Sequence, residues 1–383
     1  MTTALLLALG GLFLLLALHP FLTYPLSLAA WRRFRPRPLR LTGAAPTSFT
    51  ICVCAHNEAR VIARKAENLL ALRERLPGLE ILVYDDASSD GTGEILARYA
   101  PAIATVTAPS RTGKTPGMNR LASLARGEIL VFSDANVMVE PEALPRLRRY
   151  FADPEVGCVC GHLLYLNRDQ SVTAATGADY WQLEEWIKQL ESDTGSVMGA
   201  DGSLFALRRS LHRPVPEDLI DDIYVSLGAL FQGFRVVRAP DVRAFENSAT
   251  QARDEFRRKV RIACQAFNIH RRLWPSLRRL GWLDLYKYLS HKFLRWLTIY
   301  SLTLAALFFL AALGRLAGWP VTLGLAAASA AALGAGYAFR LPVLSKLADV
   351  VGAFVATGVG VIYSLMGREF RTWTPAASVR QVP

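Results

Sequence analysis

Cysteine is scarce in this chain, with five among 383 residues and no pair at C-x-x-C spacing. That excludes a zinc knuckle and suits a reducing compartment. Cys52 and Cys54, like Cys158 and Cys160, alternate along apparent strands and so share a face, as packed core thiols do. Also missing is a basic stretch ahead of the first apolar run. "MTTALLL" opens the chain and "WRRFRPRPLR" follows the run, the reverse of a cleaved secretory signal. From Thr3 to Ala30 there is no Lys, Arg, Asp or Glu. A hydrocarbon core needs about 20 residues of helix, so residues 1–31 read as a transmembrane helix. Arg32, Arg33, Arg35, Arg37 and Arg40 place its far end in the cytoplasm, with Trp31 as an interfacial anchor.

Charge is absent again over Leu297 to Gly314 and Val321 to Phe339, two stretches joined by the tight connection "RLAGWP". Val350 to Gly367 is a third apolar stretch with charges on both flanks, for which a full crossing and a re-entrant or interfacial segment are both open. Residues 297–367 are therefore a region with two to three transmembrane helices, and 368–383 a tail. Between the apolar blocks lies a polar region, read as a cytoplasmic catalytic domain over 45–250 followed by basic amphipathic interface helices over 251–296. The net charge of +12 would permit nucleic-acid binding. The chain has no recognisable nucleic-acid motif, however, and the juxtamembrane place of the Arg253–Arg295 cluster points to membrane lipids of an anionic leaflet.

Inside the polar region strand and helix alternate. "TSFTICVCAHNE" is an apolar strand with a polar end, and "ARVIARKAENLLALRER" follows at helical spacing. "LEILVYDDASSDGTGEILARYA" repeats the scheme, and "ARGEILVFSDANV" supplies a third strand after a helix expected from about Pro116 to Ala125. The succession predicts an α/β fold with a largely parallel, Rossmann-like sheet, in which ligands bind beyond the carboxyl ends of the strands. Asn57 and Glu58, Asp85 and Asp86, and Asp134 and Asn136 all fall at such ends. Each alone is explained as a helix N-cap or Asx-turn. Their convergence on one edge points to a shared site, where hard oxygen ligands suit Mg2+ or Mn2+ bridging phosphates. "YWQLEEWIKQLES" carries an apolar stripe, Trp181, Leu183, Trp186, Ile187 and Leu190, that fits either core or an acceptor path.

At these residues the chain resembles the membrane-bound inverting family 2 glycosyltransferases with the GT-A fold, the group of cellulose, hyaluronan and poly-N-acetylglucosamine synthases. "AHNE", "YDDASSDGT", "GKTPGMNRL", "FSDAN", "GADGSLFALRR" and "LIDDIYVSLGALFQGFRVV" occur in the family's order at compatible distances. The resemblance implies that Asp86 meets the uracil of a UDP-sugar with Asp85 close by. It also implies that Lys114 and Asn119 help hold the nucleotide and that Asp134 binds the metal on the diphosphate. The family's metal motif is usually Asp-x-Asp, whereas Asn136 stands here at the second position, a neutral amide that binds a cation more weakly. Of the pair Asp221 and Asp222, the resemblance makes Asp222 the base that deprotonates the acceptor hydroxyl. A macrodipole-stabilised N-cap is the plainer role for either. Processive members carry Gln-or-Arg, x, x, Arg, Trp beside the acceptor. The counterpart read here is "EFRRK", in which Arg258 alone matches, while "KFLRW" at Lys292–Trp296 fits a membrane-boundary anchor.

The resulting expectation is a multi-pass inner-membrane enzyme moving glucose or N-acetylglucosamine from UDP to a glycan or lipid acceptor, in a setting that also suits coupling to export partner subunits. Two alternatives stand beside it: a non-catalytic subunit that keeps the fold, and a single-step lipid glycosyltransferase.

Overall fold

The computed structural model describes residues 1–339 and 341–372. Its centre is one eight-stranded sheet in the order β3-β2-β1-β4-β7-β6-β8-β5. The strands are β1 (Phe49–Ala55), β2 (Glu80–Asp85), β3 (Ala104–Thr107), β4 (Ile129–Asp134), β5 (Met138–Val139), β6 (Val156–Tyr165), β7 (Leu204–Arg208) and β8 (Arg235–Glu246). β1 to β4 are mutually parallel, as the strand–helix alternation predicts. Beyond β4 the sheet becomes mixed: β7 is antiparallel to both its neighbours, and β6 returns parallel to β8.

The register places the site. Asp85 lies opposite Ala55 and Asp134 opposite Cys54, so three carboxyl ends meet at one edge. Each sheet face is covered by its own apolar layer. Ile51, Val53, Val83 and Val131 face one, with Ile62, Ala66 and Leu69 of the helix Ile62–Arg75. Cys52, Cys54, Cys158 and Cys160 face the other, with Phe132 and Phe205 stacked between them. The thiols are core, as their alternation predicts, and among the described residues no group of three or more His, Cys, Asp or Glu is gathered tightly enough to cage a metal.

The single N-terminal helix expected from the apolar run is not formed. Thr3–Leu18 and Thr23–Phe34 are separate helices bent by 61°. Pro20 explains the break, because it lacks an N–H and its ring clashes with the preceding turn. Pro25 is tolerated in the first turn of the second helix, where no intrahelical donor is needed. Thr3–Leu18 runs antiparallel to Thr298–Ala317, with Phe13 stacked on Phe308 at 5.7 Å and Arg315 bonded to the Met1 carbonyl at 2.6 Å. Thr23–Phe34 turns away onto the helix Val172–Asp193, where the Tyr24 hydroxyl donates to Glu191 at 2.5 Å.

Three C-terminal helices are long and apolar enough to cross a membrane: Thr298–Ala317, Trp319–Gly336 and Val343–Leu365. The last makes contacts of another kind. Lys346 pairs with Asp179 at 3.1 Å and Asp349 accepts from Thr173 at 3.0 Å near its start. Near its end Arg271 donates to the Ser364 carbonyl and Ser364 to Asn268, both at 2.5 Å. Gly360 lies so close to Val260 and Ala263 of the basic helix Ala252–Leu277 that a Cβ there would sit 2.6 Å from each. The helix is thus fastened at both ends to polar helices of the central region. Val343, Leu347, Val351, Val355 and Ile362 remain exposed on its outer side.

Candidate active site

Backbone geometry at the strand ends is fixed by the acidic residues themselves. Asn57 and Ala87 hold positive φ of 54° and 52°, conformations that local side-chain bonds must stabilise outside glycine. The Asn57 Oδ1 accepts from the Ser89 N–H at 2.8 Å, and Asp85 accepts from the Ser88 N–H at 3.1 Å. Asp86 is fully buried and accepts three bonds, from the Thr112 N–H and hydroxyl and from the Gly113 N–H. Its carboxylate therefore sets the backbone that delivers Lys114 at the start of the helix Lys114–Leu124.

Lys114 is the centre of the site. Its ammonium lies 2.8 Å from Asp134 Oδ1 and 3.5 Å from Asp221 Oδ1. Burial disfavours its charge, yet Asp134, Asp221 and Asp222 hold its pKa above the ordinary lysine value. Gly202 closes over the group: a Cβ there would stand 3.1 Å from both Asp222 Oδ2 and Lys114 Nζ, and 3.8 Å from Asp134 Oδ2. A side chain would intrude where a reacting group must fit.

Asp221 and Asp222 begin the helix Asp221–Phe231, and both are buried. Asp222 Oδ1 accepts from the Ile223 N–H at 2.6 Å, and burial together with the like charge of Asp221 pushes the Asp222 carboxyl up to about 7, against the pull of Lys114. A carboxylate that takes up and releases a proton near neutrality is suited to general-base work. Asp221 Oδ2 is a buried oxygen without a hydrogen-bond partner among the described residues.

These groups line a cavity of about 1040 Å³ together with Glu58, Asn136, Trp181, Glu184, Glu246 and Arg258. Asn136 donates its amide N–H to Glu246 at 2.8 Å, so Oδ1 is the atom with which it could meet a cation. Asn119 is elsewhere. Its amide bonds both the N–H and the carbonyl of Val215, while Thr115 bonds the Leu219 carbonyl, so this helix latches the segment that leads to Asp221. Asn57, Asp85 and Asp86 flank the cavity through their loops and are not part of its wall.

Two features were missed in the sequence. Arg258 is spent on a bidentate bond to Glu255 at 2.8 and 3.1 Å, whereas Arg261, one turn on, faces the cavity with the Gln265 amide as its bonded partner. The R-x-x-R-I spacing of Arg258, Arg261 and Ile262 on one helix face was the available signal, and it fits the processive pattern better than "EFRRK", with isoleucine for tryptophan. The second is a buried ionic cluster under the cavity floor. His291 bridges Glu191 at 2.7 Å and Glu184 at 3.0 Å, with Arg295 and Lys292 also on Glu184. In the stripe beside it Ile187 and Leu190 are core, Trp186 is exposed and Trp181 lines the cavity.

The donor set can be tested against a divalent cation. Asp134 offers one partly exposed carboxylate and Asn136 one amide oxygen. That is too few for an all-protein cage, but it fits a cation of the Mg2+ type, which takes one or two protein oxygens and completes its shell with phosphate and water.

Residues 50–215 match the model of "Glycosyl transferase family 2". The chain carries a family 2 glycosyltransferase domain. A protein named "N-acetylglucosaminyltransferase" from a Rhizobium species is 24% identical over 257 residues, 62% of this chain and 57% of its own length. A "Beta-monoglucosyldiacylglycerol synthase" from Trichormus variabilis is 29% identical over 182 residues, 46% of this chain and 39% of its own length. The chain thus spans about half the length of these curated relatives. Among solved structures, "Mannosyltransferase PcManGT from Pyrobaculum calidifontis in complex with GDP-Man and Mn2+" superposes with a TM-score of 0.70 at 24% identity. It covers 95% of this chain and 100% of that one, so the likeness in fold extends past the glycosyltransferase domain into the apolar helices.

Proposed function

We propose that this protein is an inverting glycosyltransferase that moves glucose or N-acetylglucosamine from UDP to a hydroxyl of a lipid-linked or glycan acceptor at the cytoplasmic face of the inner membrane. The observation that carries the reading is the meeting of Lys114, Asp134 and Asp222 at one point of the cavity, under Gly202. Asp222 accepts the proton of the acceptor hydroxyl as its oxygen attacks the anomeric carbon, opposite the departing diphosphate. Lys114 neutralises charge on that leaving group in a partly dry site, where Coulomb attraction is strong. Asp134 and Asn136 would hold Mg2+ or Mn2+, which would supply Lewis acidity at the diphosphate. Arg261, bonded to the neutral Gln265 amide, adds a further cation to the same cavity.

Isoleucine at 262, where a stacking tryptophan would serve a growing glycan, favours one transfer to a membrane lipid over processive elongation. A single experiment addresses donor and acceptor. Membranes containing the chain, supplied in turn with radiolabelled UDP-glucose and UDP-N-acetylglucosamine, should yield a chloroform-extractable labelled product with one of them. Label retained as high polymer would replace the lipid reading with the polysaccharide one. No transfer from either donor, with the protein folded, would leave the non-catalytic subunit.

The fastening of Val343–Leu365 at both ends supports a helix lying in the cytoplasmic interface with its apolar side in the leaflet. Two C-terminal helices then cross and return, so the chain past 365 stays on the catalytic side. In sealed cells, Thr2→Cys and Leu316→Cys should react with an impermeant maleimide, while Gln170→Cys and Glu369→Cys should react only after permeabilisation. Labelling of position 369 from outside would make the third helix a span; labelling of 170 would invert the whole assignment.

A further inference from the structure

The turn that presents Asp134 and Asn136 is held from beneath by a residue that touches neither. Lys65, on the inner face of the helix Ile62–Arg75, is completely buried. Its ammonium donates to the Ser133 hydroxyl at 3.0 Å and to the Val137 carbonyl at 2.6 Å. These two partners bracket the turn, one immediately before Asp134 and one immediately after Asn136. Ser133 in turn donates to the Ser203 carbonyl at 3.0 Å, next to the Gly202 that closes over Asp222 and Lys114. One ammonium therefore ties both ends of the cation-presenting turn to each other and to the acceptor-side loop.

Packing alone does not call for a lysine there. Its neighbours on the helix face, Ile62, Ala66 and Leu69, are ordinary core side chains, and a methionine would fill the same volume. Burying an amine with no carboxylate in bonding contact is costly in general, so a lysine whose bonded partners are a hydroxyl and a carbonyl is retained against stability. What an aliphatic side chain cannot do is donate to two separated acceptors and so fix the spacing across the turn. Asn68, one turn further along the same helix, bonds the N–H and carbonyl of Val139 at 2.9 and 2.7 Å. It fastens the strand beyond the turn without gripping the turn itself, and so provides an internal control.

We infer that Lys65 is the positioning residue of the cation site, holding Asp134 and Asn136 at the separation at which both oxygens reach one divalent ion. The inference rests on the reading of Asp134 and Asn136 as cation ligands. It is tested by Mn2+ binding to the full-length protein in detergent with UDP present, followed through the electron paramagnetic resonance signal of free Mn2+, with Tm measured in parallel. Lys65→Met should weaken Mn2+ binding at least tenfold, and Ser133→Ala, which removes one of the two anchors, about threefold. Asn68→Leu should lower Tm while leaving Mn2+ affinity within twofold of wild type. If Lys65→Met binds Mn2+ like wild type, or loses no more affinity than Asn68→Leu at a matched loss of Tm, the positioning role is wrong. Should Lys65→Met not fold, Ser133→Ala decides: unchanged Mn2+ affinity in that variant overturns the role. Absence of Mn2+ binding by wild type itself is a different result, which removes the cation reading of Asp134 and this inference with it.

Discussion

Asp222→Asn should leave the fold intact and cut transfer by about 100- to 10,000-fold, the usual range for losing a general base. The amide keeps the shape of the side chain and can still accept from the Ile223 N–H. It cannot take a proton from the acceptor. The pH profile carries the sharper test. Since burial and Asp221 push the Asp222 carboxyl up to about 7, the wild-type rate should rise with pH, reach half its plateau near 7, and fall about tenfold per unit below about pH 6. In Asp222→Asn the residual rate should lose that limb. Asp221→Asn removes the like charge that helps raise the Asp222 pKa, so its limb should move to lower pH while the rate at pH 8 changes little. Stability responds in the same sense. A carboxyl whose folded pKa lies above its unfolded value stabilises the protein at low pH and loses that contribution as pH rises through about 7. Asp222→Asn should therefore gain Tm over wild type at pH 8 and not at pH 4. A wild-type profile flat from pH 5 to 8, or a larger loss at Asp221 than at Asp222, would move the base elsewhere.

Asp134→Asn should abolish transfer at every Mg2+ or Mn2+ concentration tested, because it removes the formal charge from the ligand pair and leaves two amides. The reciprocal change is more informative. Asn136→Asp adds a charged ligand but also replaces the donor that bonds Glu246 at 2.8 Å, so that two carboxylates face each other until a cation arrives. The variant should need less metal for half-maximal transfer and should have a lower Tm than wild type in chelator, with the difference closing as Mn2+ is added. Full transfer in chelator by wild type would exclude the metal-assisted reading.

The parts of this molecule that could be read in the sequence are those whose signal is local. β1, β2 and β4 each announce themselves by an apolar run ending in Asp or Asn, and the helices between them by apolar residues at helical spacing. The carboxylate convergence followed from that topology alone. What escaped depends on partners far away in the chain. For Val343–Leu365 composition leaves a full crossing and an interfacial segment both open, because its contacts with Thr173, Asp179 and Asn268 are set by the tertiary fold. The bend at residues 19–22 is hidden because the segments on either side are similarly apolar, with Pro20 as the one local cue. Arg261 is hard to single out from the nearby Arg257 and Arg258, since none of the three precedes a tryptophan. Asn119 looked like a nucleotide ligand beside Lys114, but it points to the opposite side of its helix and holds Val215. Lys65 sits in "IARKAEN", where a lysine between charged neighbours has the appearance of a solvated face.

The core thiols have a practical corollary. Cys52, Cys54, Cys158, Cys160 and Cys264 are all buried, with Cys54 alone reaching the cavity wall, and burial pushes the thiols of Cys52, Cys54 and Cys264 up, away from the reactive thiolate. The folded wild-type chain should therefore react slowly with an alkylating reagent, Cys54 being the thiol to replace first. It can serve as the background into which single cysteines are placed, so a fast signal in a labelling experiment belongs to the introduced residue, and its sudden appearance in the unsubstituted chain reports unfolding.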